Sequence, residues 1–93
     1  YTKEGQALSL LDISVGGLRV IGKTLLWPGN RTNLDFVDEN GQLMQATVEV
    51  LSFVHTTAGI AMRMRFCEKD PTLHSYLAGR MGVQLRAFLH SLQ

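Results

Sequence analysis

Apolar and polar positions alternate along much of this chain, in runs separated by short polar corners. Between Ala7 and Ile13 the apolar residues fall on both faces, Leu8 and Leu10 on one and Leu11 and Ile13 on the other. That is the pattern of a strand covered on both sides. A polar corner follows, and extended structure resumes at Leu18–Ile21. Asn33 to Val37 alternates again, with Leu34 and Phe36 facing one way and Asp35 the other. A longer strand is expected from Gln42 to His55. Met44, Ala46, Val48, Val50 and Val54 share one of its faces; Gln45, Thr47, Glu49 and His55 share the other. Leu51 and Phe53 interrupt the polar side, so the strand bends or is covered there. The cleanest alternation is Ile60 to Phe66: Ile60, Met62, Met64 and Phe66 point to the core, and Arg63 and Arg65 point together away from it.

Turn chemistry separates these runs. Tyr1-Thr2 reads as the tail of a strand and Lys3-Glu4-Gly5-Gln6 as a polar hairpin loop. Pro28-Gly29 is a turn in which Pro presets φ and Gly supplies φ > 0, and Asn40-Gly41 is a strong hairpin signal. Thr56-Thr57-Ala58-Gly59 turns the chain once more. Trp27, just ahead of Pro28, is expected to plug a gap in the packing. Strands joined by such tight turns predict an antiparallel meander that curls into a small barrel. Its interior is expected to hold Ile60, Met62, Met64, Phe66, Val48, Leu34, Phe36 and Leu8 or Leu10.

At Asp70-Pro71 the period changes. Asp as N-cap and Pro at N1 mark a helix start. Leu73, Leu77, Met81, Leu85, Phe88 and Leu92 then recur at helical spacing, with Gly79 and Gly82 weakening the middle. The pattern predicts one bent helix, or two broken near Gly82. A barrel mouth covers only part of that stripe. The remainder, Val83 to Leu92, either folds back along the barrel wall or meets a partner, and self-association through it is expected. The fold class is therefore mainly β: one domain over 1–93, a small antiparallel β-barrel over about 1–67 and a C-terminal helical segment over about 70–92.

Composition narrows the function. Nine Lys+Arg against eight Asp+Glu leave a net charge of +1, without the basic excess of a DNA- or RNA-binding domain. A lone cysteine, Cys67, excludes an internal disulfide and fits a reducing, cytoplasmic setting. No apolar run reaches the length of a membrane span, so direct membrane insertion is not expected. The first residue is Tyr1 rather than Met, which points to a piece of a longer parent protein. His55, His74 and His90 lie in different elements without metal-ligand spacing. Ser14 lacks a G-x-S-x-G context, no phosphate-binding glycine loop occurs, and the carboxylates form no acid–base pair. No catalytic residue, metal ligand or cofactor is expected.

The corner Asp12-Ile13-Ser14-Val15-Gly16-Gly17 is open to two readings. Asp and Ser bond nearby backbone groups and Gly permits tight turns, so it serves as a strand-to-strand connection. The same residues also make a small polar-ligand site. Asp12 can accept a pair of N–H donors such as the Watson–Crick edge of guanine offers, while Ser14 and exposed amides face an anion.

The corner matches D/N-x-S-x-x-G at Asp12, Ser14 and Gly17, and around it lie an apolar strand at Leu18–Ile21, Pro28-Gly29, the strand Leu34–Val37, Asn40-Gly41, the long strand Gln42–His55 and the closing strand Gly59–Phe66. In this layout, over about residues 5 to 80, the chain resembles a PilZ domain. The resemblance implies a six-stranded antiparallel barrel and a non-enzymatic bacterial receptor for cyclic di-GMP. It implies that Asp12 bonds the guanine edge, Ser14 contacts the guanine or phosphate region, and Gly17 keeps the turn tight and clear of the ligand. The family's other motif, R-x-x-x-R, does not precede Asp12, and most of the family's first strand is missing too. Arg19, Lys23, Arg63 and Arg65 do not stand in that motif's place. The resemblance thus leaves two expectations: a cyclic di-GMP receptor whose paired arginines lie further upstream, or a degenerate PilZ domain that works through protein contacts, with the rest of a larger parent protein or a second copy as partner.

Overall fold

The computed structural model describes residues 5–23, 25–79 and 84–90. Six strands and one helix run in the order β1 (Gly5–Ile13), β2 (Gly17–Gly22), β3 (Arg31–Val37), β4 (Leu43–Thr56), β5 (Gly59–Lys69), α1 (Pro71–Ala78) and β6 (Arg86–His90). All pairings are antiparallel, and the strands close into a barrel in the order β1-β2-β5-β4-β3-β6. The expected mainly-β barrel with a C-terminal helix is the fold found. The expected polar loop at residues 3–6 is replaced at Gly5 and Gln6 by the start of β1; its earlier part lies outside the described residues.

The interior is the expected one. Leu8, Leu34, Phe36, Val48, Met62 and Met64 are buried, joined by Leu18, Val20, Met44, Ala46, Val50 and Ala87, while Leu10, Ile60 and Phe66 are partly buried against them. β1 and β4 each change face at a single unpaired residue. In β1 the register slips between Leu10 and Asp12, so Leu11 is an extra residue without a partner. The bulge resets the parity: Leu10 and Ile13 both pack on the core, while Leu11 is exposed. In the β4–β5 pairing one slip leaves Cys67 of β5 unpaired opposite Thr47 and Val48, and a second falls in β4 between Val50 and Ser52. Leu51 is the extra residue there, Phe53 takes the core-facing position, and Val54, which the alternation places on the face of Val48 and Val50, is 63% exposed. Apolar residues on both parities thus mark a change of face within one strand.

The C-terminal segment corrects the predicted helix. α1 spans only Pro71–Ala78 and buries Leu73, Tyr76 and Leu77. Asp70 and Pro71 stand at the expected N-cap and N1 positions. The Asp70 carboxylate, however, accepts from the Gln45 amide at 2.9 Å, tying the helix start to β4 instead of capping it. The helix ends where Gly79 N–H donates to the Ser75 carbonyl. Met81, Gly82 and Leu92 lie outside the described residues. Arg86–His90, expected to be helical, is strand β6, paired with β1 through Gln6↔Leu89 and Leu8↔Ala87 and with β3 through Leu34↔Leu89 and Phe36↔Ala87. Without it, β1 and β3 would each present a row of unpaired backbone groups, and closing the barrel satisfies both rows at once. The apolar positions that were to carry self-association on a free helix, Leu85, Phe88 and Leu89, are partly buried; Leu85 and Leu89 pack on the barrel core, and Phe88 pairs in register with Ala7 and Asp35.

Polar groups secure the far side of the barrel. Asp38 is buried, and its Oδ1 accepts from the Asn40 and Gln42 backbone amides at 2.8 and 2.9 Å. With Gly41 at φ 81°, this fixes the predicted Asn40-Gly41 turn. Asp35 is 1% exposed and takes a bond from Gln45 Nε2 at 3.0 Å. Tyr76 Oη donates to Glu39 Oε1 at 2.6 Å, linking α1 to the same turn. Trp27 is not the expected plug: it is 60% exposed and meets Phe53 edge-on at 5.8 Å.

Candidate functional site

The corner between β1 and β2 is a hairpin whose register sets the chemistry. Ile13 pairs with Leu18 on the inner face, and Asp12 pairs with Arg19 on the outer face. The bulge at Leu11 is what allows this, because an unbroken ladder from Leu10↔Val20 would have brought Leu11, not Asp12, opposite Arg19. Arg19 donates through Nε to Asp12 Oδ2 at 2.8 Å, and its Nη2 makes a second contact to the same oxygen. Both side chains are about half exposed, at 52% for Asp12 and 59% for Arg19. The Arg19 hydrogen bond holds the Asp12 carboxyl below its ordinary value of 3.8, and the same bond raises the Arg19 guanidinium. Both side-chain contacts fall on Oδ2, so the Arg19 guanidinium leaves Asp12 Oδ1 unengaged.

The tip of the hairpin is held from several directions. Ser14 N–H donates to the Gly17 carbonyl at 2.8 Å, Phe66 N–H to the Gly16 carbonyl at 3.1 Å, and Lys69 Nζ to the Val15 carbonyl at 2.6 Å. The Ser14 hydroxyl makes only long contacts, 3.4 Å to the Gly17 carbonyl and 3.4 Å from the Gly16 amide, and stays exposed. The two glycines differ. A Cβ on Gly17 would stand 2.4 Å from the Met64 carbonyl, so the third fixed position of the motif is a glycine because β5 passes directly beneath it. A Cβ on Gly16 would meet nothing within 4 Å; Gly16 is the glycine that borders open space.

Asp12, Ser14 and Gly17 are therefore brought together, and they share an open groove of about 310 Å³ with Gly16, Arg19, Leu51, Arg63 and Arg65. The three arginines come from the β2–β5 pairing, in which Gly17 faces Arg65 and Arg19 faces Arg63. Arg65 is bound to Glu49 across β4. Sequence reasoning saw that Arg63 and Arg65 share an outward face; the β2–β5 register that carries them to the Asp12 corner was not readable from spacing. A second groove of about 330 Å³ lies between β3, β4 and the end of β5, with Asn33, Gln45, Thr47 and Asp70 held in hydrogen bonds. There Thr47 donates to Asn33 at 2.9 Å, and Gln45 bonds both Asp35 and Asp70.

Among the described residues no group of three or more His, Cys, Asp or Glu could hold a metal ion, and no helix is long and apolar enough to cross a membrane. A family model described as PilZ domain matches residues 2–82, which takes in the hairpin, the groove and α1 and stops short of β6. No curated protein and no solved structure matches.

Proposed function

This chain belongs to the PilZ domain family, a family of cyclic di-GMP receptors, and from that premise we propose that its Asp12–Gly17 hairpin binds cyclic di-GMP by a guanine base. The observation that carries the reading is the free Oδ1 of an ionised Asp12 at the rim of the groove. Guanine presents two adjacent N–H donors, and a carboxylate accepts them with its two oxygens. Oδ1 is open to one of them, and Oδ2 receives the other as Arg19 releases one of its two contacts. The carboxylate is already oriented by Arg19, so little side-chain freedom is lost when the base docks. Ser14 Oγ, held only by long contacts, can turn to the ligand, and Gly16 lets the base lie close to the backbone. The domain acts as a receptor: the ligand is recognised by hydrogen bonding and no bond is made or broken.

Isothermal titration of cyclic di-GMP into the intact protein tests this. Asp12→Ala removes a charge-assisted pair of bonds and is expected to weaken binding about tenfold or more; Ser14→Ala is expected to weaken it less. Equal affinity of the wild type and both variants would remove the site from the hairpin. Absence of binding by the wild type would favour a PilZ domain that works through protein contacts.

A further inference from the structure

We propose that Arg63, together with Arg19, forms an anion-binding ledge on the outer face of β2 and β5 that takes a phosphate of the bound nucleotide; this rests on the reading of the Asp12 hairpin as the guanine site. Three observations lead to it. The first is the register: Arg19 and Arg63 stand directly opposite each other, an arrangement of like charges that costs stability in a sheet. The second is how the neighbouring charges are met. Arg19 has Asp12 and Arg65 has Glu49, whereas Arg63 faces Ser52 across β4 and pairs with no carboxylate among the described residues. The third is the shape. The bulge at Leu51 pushes an apolar side chain, 38% exposed, out beside the arginines, giving the charged ledge a greasy wall.

These features explain one another if an anion docks there. A phosphate between the two guanidiniums turns their repulsion into a shared attraction, and planar guanidinium forks match phosphate oxygens. Leu51 supplies a surface against which a sugar or base edge can lie. The ledge also adjoins the guanine acceptor, since Arg19 touches both: one edge of its guanidinium is spent on Asp12 Oδ2, and the remaining N–H groups are free for the ledge. One arginine thus orients the carboxylate that reads the base and shares the charge that holds the phosphate.

Two readouts keep this proposal separable from the guanine reading. The first compares cyclic di-GMP and guanosine, which lacks phosphate, against the wild type, Arg63→Gln and Arg31→Gln, the last an exposed arginine on β3 that does not line the groove. Arg63→Gln is expected to lower cyclic di-GMP affinity about tenfold and to flatten its salt dependence, with guanosine binding unchanged and Arg31→Gln behaving as wild type. The second follows the Arg Nε–H resonances of the wild type during titration with inorganic pyrophosphate, and shifts confined to Arg63 and Arg19 are expected. Wild-type-like binding and salt dependence in Arg63→Gln would overturn the ledge and leave the guanine site standing. Pyrophosphate shifts at Arg63 without cyclic di-GMP binding would keep the ledge and overturn the guanine site. Neither binding nor shifts would overturn both.

Discussion

The hairpin at Asp12–Gly17 and the seam closed by β6 are both made where β1 meets a neighbour, yet they are built by opposite logic. The hairpin is local. Its carboxylate, hydroxyl and glycines lie within six consecutive residues, and what they do follows from their own chemistry and the strands on either side. The seam is contextual. Arg86–His90 reads equally well as helix, and becomes a strand because β1 and β3 leave one place between them. A site written locally is expected to lose ligand and keep its fold when altered; a seam set by context is expected to lose the fold.

The largest effect should come from the seam. Ala87 is 1% exposed and lies between Leu8 and Phe36 in register. Ala87→Asp would put a carboxylate into the barrel interior at a cost of about 3 kcal/mol or more. Urea unfolding should then show a severely shifted midpoint or no cooperative transition. A wild-type midpoint would mean that β6 does not close the barrel.

Gly17→Ala blurs the contrast in an informative way, because this one motif residue is structural. Its Cβ would stand 2.4 Å from the Met64 carbonyl, and separating β2 from β5 is expected to cost about 1–3 kcal/mol. Gly16→Ala should change stability by less than about 0.5 kcal/mol, as nothing lies within 4 Å of the new methyl. The pair of denaturation curves checks both, and a Gly16 variant as unstable as the Gly17 one would contradict the account.

Asp12→Ala should leave the unfolding midpoint close to wild type, because the Asp12–Arg19 pair is exposed at the surface. Smaller still is the pH effect. With its folded-state pKa below 3.8, Asp12 contributes fully above that value and its contribution fades as the pH falls through the lower folded value. Calorimetry between about pH 8 and about pH 5 should therefore show no loss of cyclic di-GMP affinity attributable to Asp12. A decline centred in that range would show that another group controls binding.

How much the sequence discloses follows the same division. β5 is plain in the alternation of Ile60, Met62, Met64 and Phe66, since each residue's neighbours carry the signal. β1 and β4 are found but their faces are misassigned past Leu11 and Leu51, because one unpaired residue inverts every later side chain; apolar residues on both parities signal the disturbance without saying which residue is the extra one. β6 is hidden because Leu85, Phe88 and Leu89 satisfy a helical period, and only the closed barrel decides against it. Asp12, Ser14 and Gly17 are legible as a corner. Arg63 joins them only through the β2–β5 register, a long-range fact that spacing does not contain.

The most direct test of the hairpin as the ligand site is a map of backbone amide shifts as cyclic di-GMP is added to the isotope-labelled protein. The account predicts shifts concentrated at Asp12 to Arg19 and at Arg63 to Arg65, with Arg86–His90 unmoved. Shifts centred on β6 or on the β3–β4 groove, with the Asp12 hairpin silent, would contradict it.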